Sequence, residues 1–270
     1  MARRRLPAEW TTLAPHFDEI NAQFIDYEGQ VGFLLECAKR FRPRLRSALD
    51  LGCATGLHAR ALADRGTRVV GVDLSPRLLA QGRRAASRPG RPHLVCGDLA
   101  ALPLRGRFDL AYALNFVMSF LHTNEALLTA LAEVRRMLAP GGLFVMDYHY
   151  YFPPEADAGL REGWRETCVV NGRRLVVGHD PTVDWATQLC TDEMAYRFMD
   201  GRRVAREIRT REVRRISLPQ DLVGLVQASG FELLAHCRRF DLDAEPEETG
   251  VLVGRRGRSQ ASGGAARGPR

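Results

Sequence analysis

The sequence predicts a doubly wound, Rossmann-like α/β sheet with an antiparallel β insertion after its fifth strand. Three observations carry this. Between residues 47 and 147, short apolar runs rich in branched residues alternate with stretches of helical period, a pattern that pairs strands in parallel through right-handed crossovers. After residue 152 the period becomes two around Asn171–Gly172 and Asp200–Gly201, dipeptides that tolerate the positive φ of type I′ hairpin turns. Residues 219–230, "PQDLVGLVQASG", then return to a helical period ahead of two more apolar runs.

Each element has its own signals. Residues 1–46 read as a helical cap with Phe17, Phe24 and Tyr27 near one face. His16 and Tyr27 could reach a ligand from there, although core packing is the commoner use of such a stripe. The core, 47–152, starts with the strand "SALDL", the helix "LHARALADRG" stopping at Gly66, and the strand "TRVVGVD". The next helix opens with Ser75 as N-cap and Pro76 at its first position. Then come the strand "HLVC", the strand "FDLAYALN", a helix from Asn124, the stop "PGG" and the strand "LFVMD". Residues 153–218 are the antiparallel insertion of roughly 50 strand residues. Residues 219–254 complete the core with a helix and strands six and seven, an antiparallel hairpin at the sheet edge. Residues 255–270, rich in Gly, Ser, Ala and Arg, read as a disordered basic tail.

Composition narrows the function. The chain has 270 residues, 45% of them hydrophobic, enough for a sizeable core. No run approaches the roughly 18 apolar residues of a membrane span, and no apolar stretch follows the basic start, so a cytoplasmic protein without membrane partners is expected. Six Cys are scattered without C-x-x-C pairs, which argues against zinc or a disulfide framework. The net charge is +7, yet Lys39 is the only lysine and the arginines are spread over every segment. That distribution does not favour nucleic acid as a partner.

The stretch "LDLGCATG", residues 49–56, ends the first strand, where ligands bind in a doubly wound sheet. A dinucleotide loop reads G-x-G-x-x-G and admits a pyrophosphate. Here Gly52 and Gly56 enclose Cys-Ala-Thr, and Asp50 precedes them. A carboxylate at this mouth repels phosphate and attracts an ammonium. Cys53 reads as a small, semi-buried loop residue, since no His follows to activate it. Two further acids, Asp73 and Asp98, end the second and third strands. One strand-end Asp is often only a turn residue; three in succession ask for another explanation.

These motifs, in this order, resemble the class I S-adenosylmethionine-dependent methyltransferases, closely over 47–147 and in topology beyond. The resemblance implies a seven-stranded methyltransferase sheet and S-adenosyl-L-methionine as cofactor, with the loop holding its methionine end through Asp50, Gly52, Cys53 and Gly56. Ala54 stands where the family has a middle glycine. It serves if the position asks only for a small side chain and strains the backbone if it asks for positive φ. The resemblance also gives Asp73, with Leu74 beside it, to the ribose hydroxyls, Asp98 and Leu99 to the adenine, and the Asn115 carbonyl to the methionine amine. The β insertion is similar in arrangement to amino-sugar type N-methyltransferases. No N-P-P-Y signature is present, so nitrogen or oxygen of a small molecule is the expected acceptor.

Methyl transfer by in-line displacement needs positioning more than covalent help. If a base is used, the sequence offers His122 after the fourth strand, or Tyr148 and His149 in "YHYYF" after the fifth. His122 reads equally as an exposed residue before a helix cap, and the aromatic run as a strand end packing on the insertion. Two other classes stay open. An RNA methyltransferase would use the Arg-rich strands of the insertion, and a non-catalytic subunit would bind the cofactor alone. The acceptor and the oligomeric state, a homodimer included, are left open.

Overall fold

The computed structural model describes residues 12–42, 44–85, 91–149, 164–247 and 249–257. Strands β1 (Ser47–Leu51), β2 (Arg68–Asp73), β3 (His93–Cys96), β4 (Phe108–Ala113), β5 (Leu138–His149), β10 (Phe231–Arg238) and β11 (Thr249–Arg256) form one seven-stranded sheet, ordered β10-β11-β5-β4-β1-β2-β3. β1 to β5 are parallel, and β11 enters antiparallel between β5 and β10. Chain order reverses between β1 and β4, so the ends of these two strands open a crevice.

Helices cover both faces, because the central strands carry apolar residues on both sides and have no polar face to show to water. The helices are α1 (Phe17–Asn21), α2 (Tyr27–Phe41), α3 (Leu57–Asp64), α4 (Pro76–Ala85), α5 (Asn124–Met137) and α6 (Pro219–Ala228). One face of the sheet packs Leu49, Leu51, Ala111, Phe144 and Met146 with α5 and α6; the other packs Ala48, Leu110, Tyr112 and Val145 with α2 and α3.

The remaining strands, β6 (Trp164–Val170), β7 (Arg173–Asp184), β8 (Leu189–Asp200) and β9 (Arg203–Arg215), form a four-stranded antiparallel meander. Its two hairpins differ in chemistry. Asn171 and Gly172 both have positive φ (52° and 71°), as a type I′ turn requires. At the second, Asp200 pairs with Arg203, so the turn is Gly201–Arg202 rather than Asp200–Gly201, with positive φ only at Gly201. Glycine at the first central position fits type II′.

Other details depart from expectation. The N-terminal segment is two helices, because Asp26 caps α2 by accepting from the Gly29 amide at 2.9 Å. Thr123, not Asn124, caps α5. β11 runs through Arg255 and Arg256, which pair with Glu232 and Phe231 of β10, so these residues belong to the sheet and not to a tail. The rest of the expected tail, residues 258–270, lies outside the described residues, as do Tyr150, Tyr151 and Phe152 of the aromatic run. Among the described residues no helix is long and apolar enough to cross a membrane.

Candidate active site

A cavity of about 430 Å³ opens at the carboxyl ends of β1 to β4, within the usual range for small-molecule sites. Its floor is the loop after β1. Gly52 has φ 71°, and a Cβ there would meet the Val117 side chain at 2.6 Å. Ala54 has φ 49°. The middle position of the loop therefore does ask for the left-handed region, and alanine adopts it at a cost of about 1–2 kcal/mol. The Ala54 amide donates to Asp73 Oδ2 at 2.8 Å, and the Ser75 amide to Oδ1 at 2.7 Å. Burial raises the Asp73 carboxyl above its ordinary range, against these two bonds.

Asp50 is buried, and its Oδ2 has no hydrogen-bond partner. Burial, followed by the charge of Asp73, raises its pKa, while the nearby Tyr112 hydroxyl and the Ala59 amide lower it; the result is about 7. An unpaired buried carboxylate is costly, and a cationic ligand group would relieve it. Cys53 packs on Leu79 and Leu94 with its thiol pushed well up by burial, which makes it a filler and not a nucleophile.

Of the residues singled out in the sequence, Asp50, Gly52, Cys53, Asp73, Leu74, Asp98, Leu99 and Asn115 line the cavity. Gly56 lies behind the wall, where φ 80° lets it begin α3. The proposed bases are elsewhere. His122 is exposed and contacts the Val213 carbonyl through Nε2 at 2.8 Å. Tyr148 is buried, 2.6 Å from His236 Nε2. His149 stacks on Phe116, its pKa lowered to about 4 by burial and then by Arg214 and Arg239. None of the three lines the cavity, because β5 turns Tyr148 toward β10 and places His149 behind the Phe116 ring.

Phe17, Phe24 and Tyr27 of the N-terminal stripe also line the cavity, and around them and Asn115 the structure adds residues the sequence did not single out. Asn115 and Phe116 both have positive φ (60° and 64°), and the buried Asp147 holds this turn by accepting both of their amides at 2.8 Å. Arg239 pairs with Asp147 at 3.1 Å, donates to Asn115 Oδ1 at 2.8 Å, and lies 4.5 Å over the Phe116 ring. Gln30 bonds Asn115 and His58 from below. α1 roofs the cavity with Phe17 and Asn21, its Asp18 accepting from Thr55 of the loop at 2.5 Å. Just beyond α1, Gln23 makes paired bonds to the Val169 backbone of β6 at 2.7 and 2.9 Å. Glu212 and Arg214 of β9 complete the wall. One signal was legible for Glu212: it shares the inward parity of Ile208 and Thr210, where a charged residue is out of place on a packed face.

Residues 48–142 match the family model of a methyltransferase domain. A malonyl-[acyl-carrier protein] O-methyltransferase from Halorhodospira halophila is 39% identical over 135 residues, 49% of this chain and 44% of that protein. A dTDP-3-amino-3,6-dideoxy-alpha-D-glucopyranose N,N-dimethyltransferase from Streptomyces fradiae is 30% identical over 134 residues, 50% of this chain and 51% of that protein. The chain thus spans about half the length of the curated relatives it matches. In fold it resembles an S-adenosylmethionine-dependent methyltransferase from Clostridium acetobutylicum, with TM-score 0.77, 18% identity and coverage of 92% and 99% of the two chains. It also resembles S-adenosylmethionine-bound CalS10, an amino pentose methyltransferase from Micromonospora echinaspora, with TM-score 0.73, 23% identity and coverage of 88% and 94%. Residues 48–142 thus form a methyltransferase domain, and the chain as a whole has the fold of S-adenosylmethionine-dependent methyltransferases.

Proposed function

We propose that the protein binds S-adenosylmethionine in the cavity and transfers its methyl group to nitrogen or oxygen of a small molecule. The observation that carries the reading is the set of three acids on one wall. Asp50 with its unpartnered oxygen faces the methionine end and its ammonium. Asp73 retains lone pairs for the ribose hydroxyls beside its two amide bonds. Asp98, whose Oδ1 takes the Ala100 amide at 2.9 Å, lies with Leu99 at the adenine end. Along the wall formed by the ends of β1, β2 and β3 the polar groups are these carboxylates and backbone amides, which fits this group.

When bound, the group supplies an electrophilic methyl on sulfur. The chain's part is positional. The Asp147–Arg239 pair fixes the Asn115 carbonyl and the Phe116 ring, α1 excludes water from above, and the meander closes the acceptor side. Orientation of this kind is worth about 7–11 kcal/mol of barrier.

Small-molecule acceptors agree with the size of the cavity and its aromatic lining and with the relatives, which methylate an amino sugar and a carrier-bound acid by name. RNA would instead use the outer face of the meander, where Glu207 bridges Arg197 and Arg209 and Glu193 pairs with Arg211. Those arginines are partly neutralised already, which argues against a phosphate-tracking surface.

Asp73→Ala tests the reading. S-adenosylhomocysteine affinity, measured by calorimetric titration, should fall at least tenfold in a folded variant, because charge-assisted bonds worth about 1.5–3 kcal/mol each are lost. Unchanged affinity would remove the ribose role and the placement of the cofactor.

A further inference from the structure

We propose that the acceptor is a cationic amine and that Glu212 is the residue that receives it. The inference rests on the cofactor placement above and narrows nitrogen or oxygen to nitrogen. Four acids among the described residues line the cavity, and three of them end β1, β2 and β3. The fourth, Glu212, comes from the meander and faces the cavity from the side opposite the loop. It is only 8% exposed. A carboxylate held that far from water is costly unless something cationic meets it.

Arg214, two residues along the same strand and the same face, pairs with Glu212. It does not balance the local charge alone, because Glu212 stands directly opposite Asp192 in the β8–β9 register. Asp192 is 6% exposed. Like charges at such cross-strand positions repel. Asp192 is fixed by His179 Nδ1 at 2.8 Å and by the Asp180 amide at 3.1 Å, while His179 Nε2 lies 3.8 Å from Glu166. The other charged group on this side of the cavity, Arg239, is committed to Asp147. The inner face of the meander therefore sets two neighbouring buried carboxylates at this side, Glu212 on the cavity wall and Asp192 behind it. The same cavity is lined by the rings of Phe17, Phe24 and Phe120, whose faces favour a cation. A neutral hydroxyl acceptor would gain a hydrogen bond from the carboxylate but neither the ion pair nor the contact of a cation with the ring faces.

The same carboxylate closes the proton balance. The ammonium gives one proton to Glu212, which freed the nitrogen lone pair to form the new C–N bond to the methyl carbon. The C–S bond breaks with its electron pair kept on sulfur, and the Glu212 proton returns to solvent after product release.

The test uses benzylamine and benzyl alcohol, two probes of one shape that differ in charge, titrated calorimetrically into the full-length protein with and without S-adenosylhomocysteine. The wild type should prefer the amine by tenfold or more, and the preference should fade as pH passes the amine's own pKa. Glu212→Gln should abolish it with S-adenosylhomocysteine affinity unchanged, and Glu212→Asp should restore part of it. Equal binding of the two probes, binding of neither, or a preference that survives in a folded Glu212→Gln overturns the proposal. If that variant does not fold, loss of the preference in Asp192→Asn supports the carboxylate pair and its full retention overturns it. Failure of the cofactor reading would show separately, as absent S-adenosylhomocysteine binding in the wild type.

Discussion

Two residues, one at the end of β1 and one in the loop after it, set opposing demands. Asp50, with its pKa raised to about 7 mainly by burial, binds its proton more tightly in the folded than in the unfolded chain. Its contribution to stability is therefore fully present below pH 3.8 and is lost as pH rises toward 7. A cationic ligand group prefers the carboxylate, so S-adenosylhomocysteine affinity should increase from pH 6 to about pH 8 while thermal stability of the free protein declines. Asp50→Asn should flatten both dependences; calorimetric titrations and melting curves across that range would check it, and an unaltered pH profile of affinity in the variant would free Asp50 from ligand contact. Ala54, at φ 49°, makes the opposite case. Replacing it by glycine removes left-handed strain of about 1–2 kcal/mol and adds about 0.4–1 kcal/mol of unfolded-state entropy. Ala54→Gly should thus raise the melting temperature by a few degrees at most, with equal or tighter S-adenosylhomocysteine binding.

At the scale of elements, the turn after β4 holds two consecutive non-glycine residues in the left-handed region. Such a turn persists only where its surroundings over-determine it, and here β5 and the loop after β10 do so through Asp147 and Arg239. Arg239→Met leaves the fully buried Asp147 carboxylate without its cation. The loss should be about 3 kcal/mol, the lower end for a broken buried pair because Arg239 is partly exposed. S-adenosylhomocysteine affinity should fall more than tenfold as Asn115 loses its fix, and Arg239→Lys should recover part of the stability without bridging Asp147 and Asn115 together. A melting shift with unchanged affinity would make the network structural only.

The whole molecule joins two sheets over one cavity, with α1 and the residues after it bonded both to the β1 loop and to β6. The C-terminal strand has a similar binding role within the main sheet: Arg255 pairs with Glu232, and Arg256 donates to the Leu138 carbonyl. A chain ended after Gly254 should melt several degrees lower than one ended after Gly257, since a few ladder bonds of about 1 kcal/mol each go with it. Equal melting temperatures would mean that the end of β11 contributes nothing.

The alternation of apolar runs and helices specified the sheet by itself, because each strand buried on both faces must be apolar throughout and each crossover helix must carry a stripe. The three strand-end acids were legible for the same reason: a polar residue closing an apolar run marks the rim of the sheet. Chain sequence alone also separated the meander, through its period of two. What it left undecided depends on which way a side chain turns once its strand has neighbours. Tyr148 and His149 end β5 like site residues, yet pairing with β11 and packing on Phe116 turn them away from the cavity. Glu212, Arg239 and Asp147 lie 27 or more residues apart from one another and from the loop. Arg239 meets Asp147 only when β10 and β5 share a sheet, and Glu212 reaches the cavity only after the meander folds back over the crevice, because electrostatic partnership is a matter of distance in space and not of spacing along the chain.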